Sequence, residues 1–259
     1  MSSLASCREV KKLGIDEIAL RKGHRNYVCV LVDLERKEVV DILPQREKAY
    51  LKDYFLKLGS EFCDGIELFC ADMWEGYTNL AKEIFPNASI VVDRFHFFAM
   101  VQKGLETCRK HFQRRYGGHP ALKGIRWALL KNSDNLSEKD SKAIAELRKH
   151  KELKLLADTY DAKIAFRDIL EEKLDPKEAE KRIDQWANSI TDSKIRHMFR
   201  FLKTLDKWKK YILAYFEERA TTSPVEGINN KIKAIKRRAF GYLNFSNFRR
   251  KVLIEFLKP

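Results

Sequence analysis

Over the first hundred residues the hydrophobic positions fall into short runs whose period changes along the chain. "KKLGIDEIAL" and "YVCVLVDL" are short and rich in aliphatic and β-branched residues. "ERK" supplies a tight turn, and "EVVDILP" reads as a third strand stopped by Pro44. Short links between three adjacent strands predict an antiparallel meander. The period then becomes helical, with Leu51, Tyr54, Phe55 and Leu58 at i, i+3, i+4 and i+7 and Gly59 as the stop. "IELFCAD" predicts a buried strand, "WEGYTNLAKEIF" a helix closed by Pro86, and "ASIVVD" a last strand.

From about Phe95 to Arg219 the strand signal is lost. Amphipathic segments such as "AFRDILEEKL" and "KIRHMFRFLKTLDKWKKYILAYFEER" take its place, joined by polar links that include "KNSDNLSEKD" and "DPKEAEK". No internal repeat or low-complexity tract interrupts the block. The order βββαβαβ followed by helices predicts an α/β fold. It matches a ribonuclease H-like mixed sheet interrupted by a large all-helical insertion. The expected divisions are 1–98 for the first part of the core, 99–219 for the insertion, and 220–259 for a C-terminal return to the core.

That return is "TTSPVEGINNKIKAIKRRAFGY". At helical spacing Val225, Ile228, Ile232 and Ile235 form an apolar stripe, and Glu226, Asn229, Asn230, Lys233 and Arg237 a polar one. The chain has 259 residues and a formal net charge of +14, and the excess is uneven. Between Gly227 and Ile254 there are eight Lys or Arg (Lys231, Lys233, Lys236, Arg237, Arg238, Arg249, Arg250 and Lys251) and no acid. An anionic polymer is the natural partner for such a surface; a solvated basic face without a ligand is the alternative.

The five cysteines form no CxxC pair and the six histidines no HxxxH spacing, so neither predicts a zinc site. Cys29 and Cys70 lie inside strand-like runs, where a cysteine behaves as a small hydrophobe. Free thiols, the lack of an apolar run of about 18 residues, and an N-terminus without a signal-peptide core lead to the expectation of a soluble cytoplasmic protein with no membrane partner.

Three carboxylates stand out. Asp16 shares a strand face with Ile18 and Leu20, where an acid must be paired, solvated or bound to metal; Glu17 points to the opposite face. Asp72 closes a strand just before a helix, a position that suits a ligand site and equally suits a helix N-cap. Glu226 follows Ser223 and Pro224 in a capping-box pattern, and a helix-dipole gain of about 0.3–1 kcal/mol would account for it. Carboxylates held close together repel unless they share divalent ions. Two magnesium ions about 3.5–4 Å apart can activate an attacking oxygen and stabilise a leaving one in phosphodiester cleavage.

"LGIDEIALRKGHRNYVCVLVDL", "ADMWEGYTNLAKEIFPNASIVVDRFHFFAMV" and "TTSPVEGINNKIKAIKRRAFGYLNFSNFRRKVL" together resemble the catalytic region of bacterial ISL3-type insertion-sequence transposases. The resemblance runs over nearly the whole chain. It implies an Asp, Asp, Glu metal triad mapping onto Asp16, Asp72 and Glu226, two Mg2+ or Mn2+ ions, and DNA hydrolysis followed by strand transfer. Lys231, Lys233, Lys236, Arg237 and Arg238, with Asn229 and Asn230, would line the DNA, as the substrate of a homo-oligomer associated with the nucleoid. "DRFH" resembles an element that follows the second acid in several transposase groups, making Asp93 and His96 secondary candidates. Trp127, Trp186 and Trp208 lie in the insertion, where packing in a helical bundle outweighs base stacking. Full-length members carry an N-terminal zinc-binding element and a helix-turn-helix before this region, so the chain is expected to be a fragment or a truncated product. A non-catalytic DNA-binding remnant and a stand-alone nuclease are the alternative functions.

Overall fold

The computed structural model describes residues 9–19, 27–193, 195–220, 223–239, 241–242 and 244–256. The strands are β1 (Lys12–Ala19), β2 (Tyr27–Asp33), β3 (Glu38–Leu43), β4 (Leu68–Ala71) and β5 (Ser89–Val92). They form one mixed sheet in the order β3-β2-β1-β4-β5, in which β1 to β3 are an antiparallel meander and β4 and β5 run parallel to β1. The three-strand meander and both later strands stand where the hydrophobic pattern puts them. Leu20, expected on the face of Asp16, lies outside the described residues.

Helices α1 (Lys48–Leu58), α2 (Ser60–Asp64) and α3 (Glu75–Ile84) link the later strands. Gly59 ends α1 at φ 94°, a left-handed value that a side chain would resist. Strand alternation gives the sheet two apolar faces. Leu13, Ile15, Leu31, Phe69 and Ala71 pack with Leu51, Phe55, Tyr77, Leu80 and Phe85. On the other face Ile18, Val28, Val30, Val32 and Ile42 meet residues from beyond the insertion: Val225, Ile228, Ile232 and Ile235 of α10 (Ser223–Arg238) and Phe248 and Val252 of α11 (Phe245–Phe256). A buried ion pair fixes α11 to the sheet. Arg249 donates to both oxygens of Asp41 at 2.6 and 2.8 Å, and Tyr54 adds a bond at 2.8 Å, so the buried carboxylate is fully satisfied.

The chain divides into two compact units, Met1–Asp93 with Glu218–Pro259, and Arg94–Glu217. The second is helical throughout its regular elements. It contains α4 (Arg94–Arg115), α5 (Ile125–Leu130), α6 (Glu138–Lys149), α7 (Lys154–Glu171), α8 (Pro176–Asp192) and α9 (Phe199–Glu218). Among the described residues no helix is long and apolar enough to cross a membrane. "DPKEAEK" is not the polar link its composition predicts but the start of α8. The Asp175 carboxylate accepts from the backbone of Lys177 and Glu178 at 2.9 and 3.0 Å, and Pro176 fills the first turn. "KNSDNLSEKD" likewise ends in a capping box between Ser137 and Asp140 that opens α6. Trp186 is buried between Phe166 and Phe201 and donates to Ala162 O at 2.8 Å; Trp208 is buried too, while Trp127 is 65% exposed.

Lys163 is the one lysine among the fully buried side chains described, and its ammonium donates to the carbonyls of Leu129, Leu130 and Lys131 at 3.0, 3.2 and 2.7 Å. These acceptors close the C-terminal end of α5, where a positive charge is favoured. Burial, with Arg167 nearby, still lowers its pKa from 10.5 to about 8. The folded protein therefore binds fewer protons than the unfolded chain between these values, and stability contributed by this group rises with pH across that window. Urea denaturation of the wild type and of Lys163→Met from pH 7.5 to 10 should show the difference moving in favour of the wild type by about 2 kcal/mol. A flat difference would show that Lys163 keeps its ordinary pKa in the fold and stays protonated across this range.

Candidate active site

Register brings three acids to one edge of the sheet. β1 pairs Gly14 with Cys70 of β4, and β4 pairs Ala71 with Val92 of β5. Continuing those pairings puts Asp16, Asp72 and Asp93 at the carboxyl ends of three neighbouring parallel strands. Alternation turns all three toward the face on which α10 packs. Ligand sites in open α/β sheets form at such strand ends. The Asp93 N–H extends the ladder to Ala71 O at 3.1 Å, and its side chain is buried.

Asp72 does not cap a helix. The N-cap of α3 is Trp74, with no side-chain cap, and the Trp74 N–H turns back to Asp72 O at 2.8 Å. That tight turn leaves the Asp72 carboxylate at the strand end with Oδ1 shielded from solvent.

Helix α10 runs alongside β1 in the same direction. Val225 sits against Gly14, Asn229 Nδ2 donates to Asp16 Oδ2 at 2.5 Å, and Lys236 Nζ donates to Ala19 O at 2.8 Å. Eleven helical steps of about 1.5 Å and five strand steps of about 3.3 Å both cover about 16 Å, so the contacts stay in phase. Gly14 permits the approach, since a Cβ there would come within 3.1 Å of Val225 Cγ2 and 2.7 Å of Leu34 Cδ2. The second Asp16 oxygen, Oδ1, accepts the Glu17 N–H at 2.7 Å.

Glu226 is exposed in the first turn of α10, on the flank that carries Asn229 and about 60° further round the helix. The capping contact expected from Ser223 lies outside the described residues. The basic residues expected along the DNA divide between two flanks. Lys233 and Arg237 are exposed on the flank of Glu226, with Asn230 beside them. Lys236 is half-buried, and burial first, then Lys233 and Arg237, lower its pKa. Lys231 and Arg238 fall on the other flank against α11. Lys231 donates to Glu255 O at 2.9 Å and sits 4.1 Å over the Phe256 ring, and Arg238 pairs with Glu255 at 3.2 Å. Asn229, expected among the DNA contacts, is instead 3% exposed and committed to Asp16. His96 lies in the first turn of α4, in the helical unit.

The opposite face of the sheet holds a network that reading along the strand did not find. Glu17, on the Ile15 face, accepts from Arg46 Nη1 at 2.7 Å and from Tyr77 Oη at 2.8 Å. The Arg46 guanidinium lies over the rings of Tyr27 and Trp74, at 5.0 and 5.4 Å, and Trp74 meets Tyr77 edge to face at 4.6 Å. Burial foremost raises the Tyr77 hydroxyl pKa and pushes the Cys29 thiol up to about 12. The neighbour of Asp16 is thus tied to the turn that follows Asp72. An acid on a core face demands such partners, which was the available signal.

The donors at this edge suit a hard divalent ion. Burial first, then the Asp93 and Asp72 carboxylates, hold the Cys70 thiol well above its ordinary pKa, so no thiolate competes with the carboxylate oxygens. The oxygens of Asp16, Asp72 and Glu226 are not gathered within 4.8 Å of one another; among the described residues only His119, His150 and Glu152 are so close. A wider spread is compatible with two ions. Donors about 2.1 Å from ions about 4 Å apart can themselves be as much as about 8 Å apart.

A family model of the ISL3-type DDE class, described as transposase, matches residues 13–252. The transposase for insertion sequence element IS1001 of Bordetella parapertussis is 30% identical over 265 residues, covering 97% of this chain and 64% of that protein. The transposase for insertion sequence element IS1557 of Mycobacterium tuberculosis is 26% identical over 258 residues, covering 90% and 57%. The chain spans about three fifths of the length of these curated relatives. With residues 13–252 matched in one stretch, the chain belongs to the ISL3-type family of insertion-sequence transposases.

Proposed function

We propose that the chain is the ribonuclease H-like catalytic portion of a DDE transposase that cuts DNA at the ends of an insertion sequence and joins it to a target. Asp16, Asp72 and Glu226 would hold two magnesium or manganese ions. The single observation carrying this reading is the 2.5 Å bond from Asn229 to Asp16. It ties the helix that bears Glu226 to the strand that bears Asp16, at the level where Asp72 ends β4. The strand order, with only β2 running against the rest, supports the ribonuclease H-like assignment.

Each side chain has a definable task. Asn229 and the Glu17 N–H fix both oxygens of Asp16, so the carboxylate presents one orientation. The Asp72 turn holds the second acid beside it, and the Glu17–Arg46–Tyr77 network stiffens that turn from behind. Glu226 reaches from the helix start. Lys233 and Arg237, further along the same flank, supply phosphate contacts that track a DNA backbone away from the acids. When bound, divalent ions would activate the attacking oxygen and stabilise the leaving 3′ oxygen. The net reaction is hydrolysis, in which a water oxygen joins phosphorus, the P–O3′ bond breaks and the 3′ oxygen takes a proton. The freed 3′ hydroxyl is then the nucleophile for target DNA.

Incubation with supercoiled DNA and Mg2+ or Mn2+ should yield nicked product. Asp16→Asn and Asp72→Asn should lower nicking by about a hundredfold or more while DNA affinity is kept. Glu226→Gln, which can still serve in a capping box, should lose cleavage with stability within about 0.5 kcal/mol of wild type. Equal nicking by the variants would overturn the triad. DNA binding with no nicking by any form would favour a remnant, and robust cleavage indifferent to insertion-sequence ends a stand-alone nuclease.

The two flanks of α10 give a second test. Lys233→Ala with Arg237→Ala should weaken DNA binding and reduce the slope of log K against log salt by about two. Lys231→Ala with Arg238→Ala should change that slope by less than half as much, because these side chains are held on α11. Equal effects from the two pairs would remove the assignment of the DNA track to one flank.

A further inference from the structure

The helical unit carries a cluster of metal-ligating side chains that the proposed DNA chemistry does not use. His119 and His150 meet edge to face with ring centroids 4.4 Å apart, and Glu152 Oε1 is 3.8 Å from His119 Nε2. One ligand atom from each of the three lies within 4.8 Å of the others, the only such trio of His, Cys, Asp or Glu among the described residues. We propose that His119, His150 and Glu152 form a binding site for a zinc-class divalent ion.

All three ligands sit on ordered backbone. His119 precedes Pro120, which keeps it extended at φ −70° and ψ 125°, and its Nδ1 accepts the Ala121 N–H at 3.2 Å at the start of the 3-10 turn Pro120–Leu122. That bond turns Nε2 toward Glu152. His150 is the C-cap of α6, and its carbonyl accepts from Leu153 and Lys154 at 2.9 and 3.0 Å, which fixes the turn containing Glu152. The ligands therefore need side-chain adjustments rather than refolding. Zinc bonds of about 2.0–2.1 Å in a tetrahedron put donors about 3.3 Å apart, a contraction that the exposed Glu152 can make by rotation.

The surroundings fit a metal-bound imidazole. His150 Nε2 is 3.3 Å from Glu146 Oε1, and Lys149 Nζ holds Glu146 at 2.6 Å. A carboxylate on one ring nitrogen leaves the other, Nδ1, as the ligand and raises its basicity. Glu152 also lines a cavity of about 430 Å³ with Tyr116 and Leu155, which gives an ion a way in and leaves room for water at the fourth position. Two features work against tight binding. The same cavity carries Arg115 and Arg196, and ligation through His119 Nε2 moves the ring proton to Nδ1 at the expense of the Ala121 bond. The site should be weaker than a closed four-ligand one.

Two imidazoles and one carboxylate select zinc over magnesium, which prefers oxygen donors. The site is thus chemically distinct from the strand-end acids, and its existence does not depend on their role. Its effect would be to staple the turn after α4 to the junction of α6 and α7.

The test is a calorimetric titration of the chelator-treated full chain with Zn2+ in excess Mg2+, with Co2+ as a spectroscopic substitute. The result expected is one equivalent of zinc bound, a visible cobalt band typical of low coordination number, and a raised thermal midpoint. His119→Ala and His150→Ala should each lower zinc affinity at least tenfold and abolish the band. Asp16→Asn should leave both unchanged, which separates this site from the proposed catalytic one. His150→Gln, with folding checked by circular dichroism, covers the case in which the alanine variant unfolds. Failure to bind zinc stoichiometrically, or binding that survives loss of both histidines, would overturn the proposal.

Discussion

The geometry of the candidate active site depends on α10 lying along β1 without a side chain between them at Gly14. Four apolar residues of that helix are fully or nearly buried, Val225, Ile228, Ile232 and Ile235, each contributing about 1.5–3 kcal/mol when removed from water. A charge-assisted hydrogen bond such as Asn229 to Asp16 contributes about the same as one of them. Burial therefore sets where the helix lies. The hydrogen bond sets how Asp16 is turned. A larger residue at position 14 would act on both, because lifting the start of the helix displaces Glu226 and lengthens the Asn229 contact together.

The sheet is held from two sides, and each side constrains a different part of the site. On the helix side, Arg249 and Asp41 anchor α11, and α11 in turn holds Lys231 and Arg238 away from the acids. On the other side, Glu17 draws Arg46 and Tyr77 together and so reaches the turn after Asp72. Two consecutive residues of β1, Asp16 and Glu17, thus serve opposite faces. Strand alternation makes this possible, and it explains why two adjacent acids are not redundant.

Much of this was legible in the sequence where period alone decides the answer. The alternation around Asp16 put it opposite Glu17, and the stripe from Val225 to Ile235 faces the core. Periodicity was less informative where local chemistry overrides composition. "DPKEAEK" looks like a link because it is polar, yet Asp175 and Pro176 are a strong helix start. Residue type alone also grouped Lys231 with Lys233 as DNA contacts, although two residues of helix turn them about 160° apart (200° the long way). Asn229 was read as a surface amide because nothing in a helical stripe reveals which polar member meets a buried acid. His119 and His150 were invisible to any spacing rule, since α5 and α6 separate them in the chain and only the fold brings their rings together.

The basic charge of the chain is a poor guide to where DNA would lie. Many of its cations are already engaged by acids of their own unit, as with Arg109 on Glu106, Arg167 on Asp134 and Lys209 on Asp184. Such pairs cancel local field whether exposed or half-buried, and the cations they engage are not free for a ligand. The useful positive potential comes instead from cations without a neighbouring acid in place, and on α10 the helical period concentrates it on the flank of Glu226. Lys236 shows the limit of that concentration, because burial first, and then its neighbours Lys233 and Arg237, make its own charge harder to hold. A phosphate arriving on that flank would meet the exposed Lys233 and Arg237 and would offset the repulsion they exert on the half-buried Lys236.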